Sequence, residues 1–302
     1  MRLVTRFSRY FNSGVVSALV AFMLWGVLPL YWKQLVFLPP ATIVAQRMLW
    51  SLLLLLPILC WRGEGRELLT VLRAPRALAW QLLSGLLLSS NWLLYVWATL
   101  NERILEGSLG YYLNPFFNML FGALWFGERH SRPQLAAIAL ALAGVALQIP
   151  AIGRFPWVAI SLALSFALYG VVRKRAPLGA LAGLTAETAL LAPLALVWLI
   201  VSSPTPVAAF GSSATQVLLV IGTGVVTAVP LLCFGHAARS LRLSTIGILQ
   251  FLGPSLQFLI GWQFYHEQMT HVRLLSFCVI WLAIAIYVAN ALQTARQQQR
   301  IG

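Results

Sequence analysis

Residues 111–129 read YYLNPFFNMLFGALWFGER and residues 250–268 read QFLGPSLQFLIGWQFYHEQ. Aligned at an offset of 139 positions, they place Pro115 over Pro254, Gly122 over Gly261 and Glu128 over Glu267 without a gap. The correspondence continues upstream, where Gly85 falls on Gly224 and Tyr95 on Phe234. Near the start of each half the offset drifts to 144, so that Trp25-Gly26 meets Tyr169-Gly170 and Ser17 meets Ser161. The matched Pro, Gly and Glu residues share one register, which similarity between any two apolar helices would not produce. The chain reads as a duplication.

Working outward from these stretches, apolar runs near twenty residues predict helices at 14–32, 41–61, 77–98, 107–126 and 134–150. A second set falls at 156–172, 181–202, 215–236, 244–265 and 273–293. The joints carry breakers or charges, among them Pro39-Pro40, Arg73-Ala74-Pro75-Arg76, Ser131-Arg132-Pro133 and Ser202-Ser203-Pro204-Thr205-Pro206. The first run follows Arg2, Arg6 and Arg9, yet no small-x-small cleavage site follows it, and its length suits a span better than a leader. Five spans is an odd number, so the second copy enters the membrane from the opposite side. The expected fold is an all-α integral membrane protein of ten transmembrane helices, two inverted-topology five-helix repeats at 14–150 and 156–293, with tails at 1–13 and 294–302. Many secondary transporters have this arrangement.

Composition agrees with lipid as the main solvent. Hydrophobic residues make up 60% and charged residues 9% of the 302, where a soluble domain carries about 25% charged residues. The net charge of +14 is spread in short strings between apolar runs, so no nucleic-acid partner is expected. With an inside N-terminus, sixteen Lys and Arg fall in inside segments and four in outside loops. The positive-inside rule then places both tails in the cytoplasm of a bacterial inner membrane. Cys60, Cys233 and Cys278 have no metal-ligand spacing and read as small core residues. Aspartate is absent, as are a His-Glu-x-x-His zinc motif and a Gly-x-Ser-x-Gly elbow, which argues against a membrane-embedded enzyme on a lipid or small hydrophobic substrate, the alternative reading. A passive channel is disfavoured by the lack of a filter-like run.

Two charges stand inside the predicted spans. Arg47 is the only strongly basic residue there and Glu187 the only clear acid. Each costs roughly 2.5–3.5 kcal/mol at mid-bilayer, which normally marks a residue facing the interior. Both lie about six residues, or roughly 9 Å, into their spans, on opposite sides of the membrane. About 12 Å along the normal would separate them, so each is expected to serve gating or coupling on its own side. Tyr111, Asn114 and Asn118 follow one face of the fourth span, and Gln250, Gly253 and Gln257 repeat the figure on the ninth. Pro115 and Pro254 are expected to break the two helices beside them. Asn91 and Tyr95 on the third span, with Thr223 and Thr227 on the eighth, complete a polar cavity lining in which Trp92 and Trp97 could offer ring faces to a substrate. The bland alternative is that these side chains only tie helices together. Glu128 and Glu267, at span ends, are expected to accept hydrogen bonds from a loop or a helix N-terminus. His130, His236, His266 and His271 could titrate near neutrality, though only His236 approaches the depth of a span.

The chain resembles the drug/metabolite transporter superfamily, in the branch built from two EamA domains, and within it the RarD-type permeases, also called chloramphenicol-sensitive proteins. The resemblance rests on Asn91-Trp92-Leu93-Leu94-Tyr95, on Glu106-Gly107-Ser108-Leu109-Gly110-Tyr111-Tyr112-Leu113-Asn114-Pro115 and on Gly127-Glu128-Arg129. In the second half it rests on Tyr169-Gly170-Val171-Val172-Arg173-Lys174, Val229-Pro230-Leu231-Leu232-Cys233-Phe234, Arg242-Leu243-Ser244-Thr245 and Gln250-Phe251-Leu252-Gly253-Pro254. It covers essentially the whole chain. The family's Gly-Glu after the ninth span is here His266-Glu267. The resemblance implies transport of a small metabolite or drug, with export as the expected direction. The expected partners are a small-molecule substrate and the lipid bilayer, with no cofactor and no metal. Substrate identity, the coupling ion (protons among the options) and the oligomeric state are left open.

Overall fold

The computed structural model describes residues 2–100, 104–147, 149–152, 155–203, 205–264 and 270–301. Among them there is no strand. The helices are α1 (Arg2–Trp32), α2 (Pro40–Trp61), α3 (Gly65–Leu72), α4 (Pro75–Leu100), α5 (Ile104–Phe126), α6 (Arg132–Ala146) and α7 (Trp157–Arg175). After these come α8 (Ala180–Ser202), α9 (Pro206–Phe210), α10 (Ala214–Ser240), α11 (Leu243–Gln250), α12 (Leu252–Gln263) and α13 (His271–Ile301). Among the described residues six helices are long and apolar enough to cross a membrane: Ser13–Leu35, Pro40–Trp61, Pro75–Tyr95, Trp157–Arg175, Ala180–Ser202 and Ala214–Ser240. Shorter apolar stretches run through Arg132–Ala146 and Leu274–Asn290.

Local chemistry sets the helix starts. Pro40 opens α2 at a position where its missing N–H removes no bond. Ser131 and Ser213 begin α6 and α10 with capping boxes, each side chain accepting from the backbone N–H of Gln134 or Gln216 while that residue reaches back to the cap. At the end of α5, Gly127 turns through a positive φ of 62°. The turn brings the Glu128 N–H to the Gly122 carbonyl at 3.0 Å and lays the Glu128 carboxylate on Gly122, where a Cβ would stand 2.6 Å from it.

Two expectations about prolines need correction. Pro115 does not break its helix, because α5 runs through it without interruption. The backbone of α11 closes on that point, with Gly247 against the Pro115 carbonyl, and such packing holds a helix together around one lost hydrogen bond. The second break is real but lies at Phe251, three residues before Pro254, and divides the ninth run into α11 and α12. Pro254 then occupies the first turn of α12, where a missing N–H costs nothing.

Polarity is distributed inside out. Leu124, Leu194, Ile200, Val201 and Leu218 are exposed, while Thr42, Gln46, Gln81, Ser84, Asn91, Asn114, Asn118, Arg173 and Glu187 are buried. Water would favour the reverse, and lipid favours this. The largest apolar core joins Phe22, Leu55, Tyr169, Leu184 and Phe234, and a second joins α5 and α6 to α13 through Tyr112, Met119, Ala141, Phe277 and Ile280. Helix α1 packs on α10 and α12, α2 on α8 and α10, α4 on α7, α5 on α7 and α11, and α6 on α13.

Candidate functional site

A cavity of about 140 Å³ lies in the half of the bundle where α1 and α4 end and α2 and α5 begin. Its wall includes Trp25, Trp32, Arg47, Asn91, Trp92, Tyr95, Tyr111, Phe166, Gln250, Pro254 and Gln257. Arg47 projects from α2 between two indoles, its guanidinium carbon 4.1 Å from the Trp92 ring centre and 5.0 Å from that of Trp32. The Nε–H donates to Thr227 at 2.9 Å. The Tyr95 and Tyr111 rings meet edge to face at 5.5 Å beside it.

The remaining amides behave differently from one another. Asn91 lines the cavity, but its Nδ2 donates to the Leu162 carbonyl at 2.8 Å and to Ser165 at 2.9 Å, tying α4 to α7. Asn114 and Asn118 do not line it. Asn114 donates to the Ala163 carbonyl at 2.7 Å, and the Asn118 Nδ2 is shared between Asn114 Oδ1 at 3.0 Å and Gln250 Oε1 at 2.8 Å. The stripe on α5 is therefore split: Tyr111 faces the cavity, while the two asparagines face α7 and α11. Gln257 reaches the wall while donating to the Trp25 carbonyl at 3.1 Å. Trp97 stands off the cavity against Trp157, with ring centres 5.5 Å apart, and Thr223 bonds back to the Val220 carbonyl of its own helix. Sequence reasoning missed Trp25, Trp32 and Phe166. Their helices were legible but not the direction in which each ring points.

Glu187 is not alone. Arg173, read from sequence as part of an inside loop, lies within α7 and is 1% exposed, and its Nη1 donates to the Glu187 carboxylate at 3.0 Å. Arg47 is thus not the only strongly basic residue within a span. Ser84 donates to the same carboxylate oxygen at 2.6 Å, and Tyr169 to the other at 3.4 Å. The Arg173 Nη2 satisfies the Gly179 and Ala180 carbonyls at 3.3 and 3.1 Å, across the turn from α7 to α8. Arg239 holds the same turn through the Ala176 and Leu178 carbonyls, and Lys174 donates to the Leu241 carbonyl. This end of the bundle, opposite the cavity, is packed around a Glu187 carboxylate that accepts from three side chains, while the Arg173 Nε stays without a partner among the described residues. Arg47 and Glu187 do not meet.

Glu128 caps a helix of the other half. Its carboxylate accepts from the backbone N–H of Leu243 at 2.7 Å and of Ser244 at 3.0 Å, and from the Ser244 hydroxyl, at the N-terminus of α11. Removing such a cap typically costs about 1–2 kcal/mol. Glu128→Ala should therefore lower stability by about that amount in thermal unfolding of the purified protein. Glu64→Ala, which removes a surface pair with Arg62 at 3.2 Å, should cost under about 1 kcal/mol. Burial, and then the Arg242 cation, push the neighbouring His130 imidazole below its usual range. His266 and Glu267 lie outside the described residues. Among the described residues no three His, Cys, Asp or Glu side chains gather as a metal site.

Comparison with known proteins agrees with this architecture. Residues 12–149 match the EamA-like transporter family. An uncharacterized transporter of Pseudomonas aeruginosa is 44% identical, the alignment covering 96% of this chain and 97% of the relative. Protein RarD of Salmonella typhimurium is 40% identical, with 95% and 98% covered. A solved structure with 22% identity superposes with a TM-score of 0.71 over 93% of this chain and 98% of its own, which is likeness of fold. These names are those of transporters and not of enzymes. The chain is a multi-pass bacterial membrane transporter that belongs to the EamA-like family of the drug/metabolite transporter superfamily, alongside the proteins named RarD.

Proposed function

We propose that the protein is a secondary transporter that moves a small metabolite or drug outward by alternating access between two inverted five-helix repeats. The observation that carries this reading is the pairing of a lined cavity in one half of the bundle with a packed, hydrogen-bonded layer in the other. A carrier needs one side closed while the other is open. The helix pairings support the repeat. Exchanging the halves turns the α5–α7 contact into α12–α1 and the α1–α10 contact into α7–α4, while α6–α13, α2–α8 and α5–α11 map onto themselves. The sixteen-to-four charge bias supports cytoplasmic termini, which puts the cavity on the outer side and the Arg173–Glu187 layer on the inner side. The resemblance to exporters supports the direction.

Cysteine accessibility tests the reading. In a background without Cys60, Cys233 and Cys278, Tyr111→Cys and Gln257→Cys should react with a membrane-impermeant thiol reagent added to the outer face of intact cells. Asn114→Cys and Asn118→Cys, at positions 1% exposed, should react at least about tenfold more slowly, since a packed side chain excludes the reagent. Labelling of Tyr111→Cys only from the inner face would overturn the orientation, and equal rates at all four positions would overturn the cavity.

A further inference from the structure

We propose that the cavity's ligand is an organic monoanion, a carboxylate on a flat apolar body, taken up by Arg47 and Gln250; this deepens the transporter reading and rests on it. Among the described residues no acidic side chain pairs with Arg47. Its Nε is used by Thr227, two indoles cover its faces, and among the described residues its terminal nitrogens have no hydrogen-bond partner. Among the described residues no carboxylate stands in the cavity wall, and Glu187 is committed to Arg173 at the other end of the bundle. An unpaired guanidinium within a span is costly unless something compensates it. A planar fork with two free amino groups has the geometry that receives a carboxylate.

The second donor is set by a relay of amides. The Ala163 carbonyl accepts from Asn114 Nδ2, so Asn114 turns its oxygen to Asn118. Asn118 must then present its own Nδ2, and that group also reaches Gln250 Oε1. Gln250 is left with its Nε2 donor, which has no partner among the described residues, on a side chain that lines the cavity. The asparagines that do not touch the cavity thus decide that it offers a donor there. A cation would be repelled by Arg47, and a neutral molecule would leave it unpaired. Trp25, Trp92 and Phe166 supply apolar ring surface for the body of the anion.

The test uses three matched probes: phenylacetate, 2-phenylethanol and phenethylamine. Equilibrium binding to the purified full-length protein in detergent should favour phenylacetate by at least about tenfold over the other two, the scale of a charge-assisted hydrogen bond. Arg47→Met should weaken phenylacetate binding about 10- to 100-fold, with Arg47→Lys intermediate and Gln250→Met weaker by about tenfold. Arg47→Met should also unfold at the same or a higher temperature than the parent, because it removes an uncompensated charge; a merely structural arginine would lower it. Chloride at the same concentration should not displace phenylacetate, whereas full displacement would make this an inorganic anion site and overturn the organic ligand. Equal binding of the alcohol or the amine, or no binding of phenylacetate, overturns the proposal. Counterflow in vesicles separates the two readings. Exchange of neutral but not anionic probes refutes the ligand class and keeps transport. Phenylacetate binding without any exchange refutes transport and keeps the ligand.

Discussion

Glu187→Gln is expected to lower the stability of the purified protein by about 3–5 kcal/mol, the largest loss of any single polar change considered for this chain. Arg173 and Glu187 are each 1% exposed and joined at 3.0 Å. Ser84 and Tyr169 complete the carboxylate, and two carbonyls of the α7–α8 turn hold the Arg173 Nη2. Withdrawing the negative charge leaves the arginine buried without its counter-charge. Gly183 shows how closely the site is fitted, since a Cβ there would stand 2.1 Å from the Arg173 Nη1. Removing both charges is a different matter. Arg173→Met with Glu187→Leu should recover most of the loss, because a buried pair contributes little net stability over apolar residues of similar volume. Unfolding of both variants in denaturing detergent measures this, and a Glu187→Gln protein that unfolds like the parent would mean the site admits water. Sequence alone offered Glu187 as a lone intramembrane acid, expected to serve gating or coupling. The missing fact was the partner.

Gly224→Val is expected to cost about 3 kcal/mol or to prevent assembly, the upper end of what overpacking does. Helices α2 and α10 cross at this residue. A Cβ on Gly224 would lie 2.6 Å from the carbonyl carbon and oxygen of Trp50, which are backbone and cannot rotate away. Ser51 donates to the Gly224 carbonyl at 3.3 Å across the same contact. The substitution would also displace Arg47, one turn earlier on α2. Gly222→Ala, on the same helix, meets the Tyr31 hydroxyl, whose displacement would break its hydrogen bond to the Leu219 carbonyl, and should cost about 1 kcal/mol, well below Gly224→Val. If the two variants were equally stable, close backbone approach would not be what holds α2 against α10.

Much of this molecule is legible in one dimension. Residues that face lipid must be apolar and backbone groups in lipid must bond within their own helix, so span lengths follow from run lengths. The family strings were legible for the same reason, because contiguous residues carry them. Glu128 was recognisable as a carboxylate at a span end and does cap a helix, although which helix was not visible. What the sequence could not decide was direction around each helix. A helix buried on several sides has polar residues on more than one face, so Asn91, Tyr111, Asn114 and Asn118 looked like one lining, while the neighbours of α5 send Tyr111 to the cavity and the asparagines to α7 and Gln250. The limit of α7 was likewise undecided. Arg173 heads a basic triplet that reads as a loop, and only the carboxylate brought to it by α8 makes it a buried residue. Lipid imposes its rule on every span separately and so writes it into the local sequence. The pairing of Arg173 with Glu187, the placing of Arg47 between two indoles and the orientation of Gln250 arise only when distant segments come together.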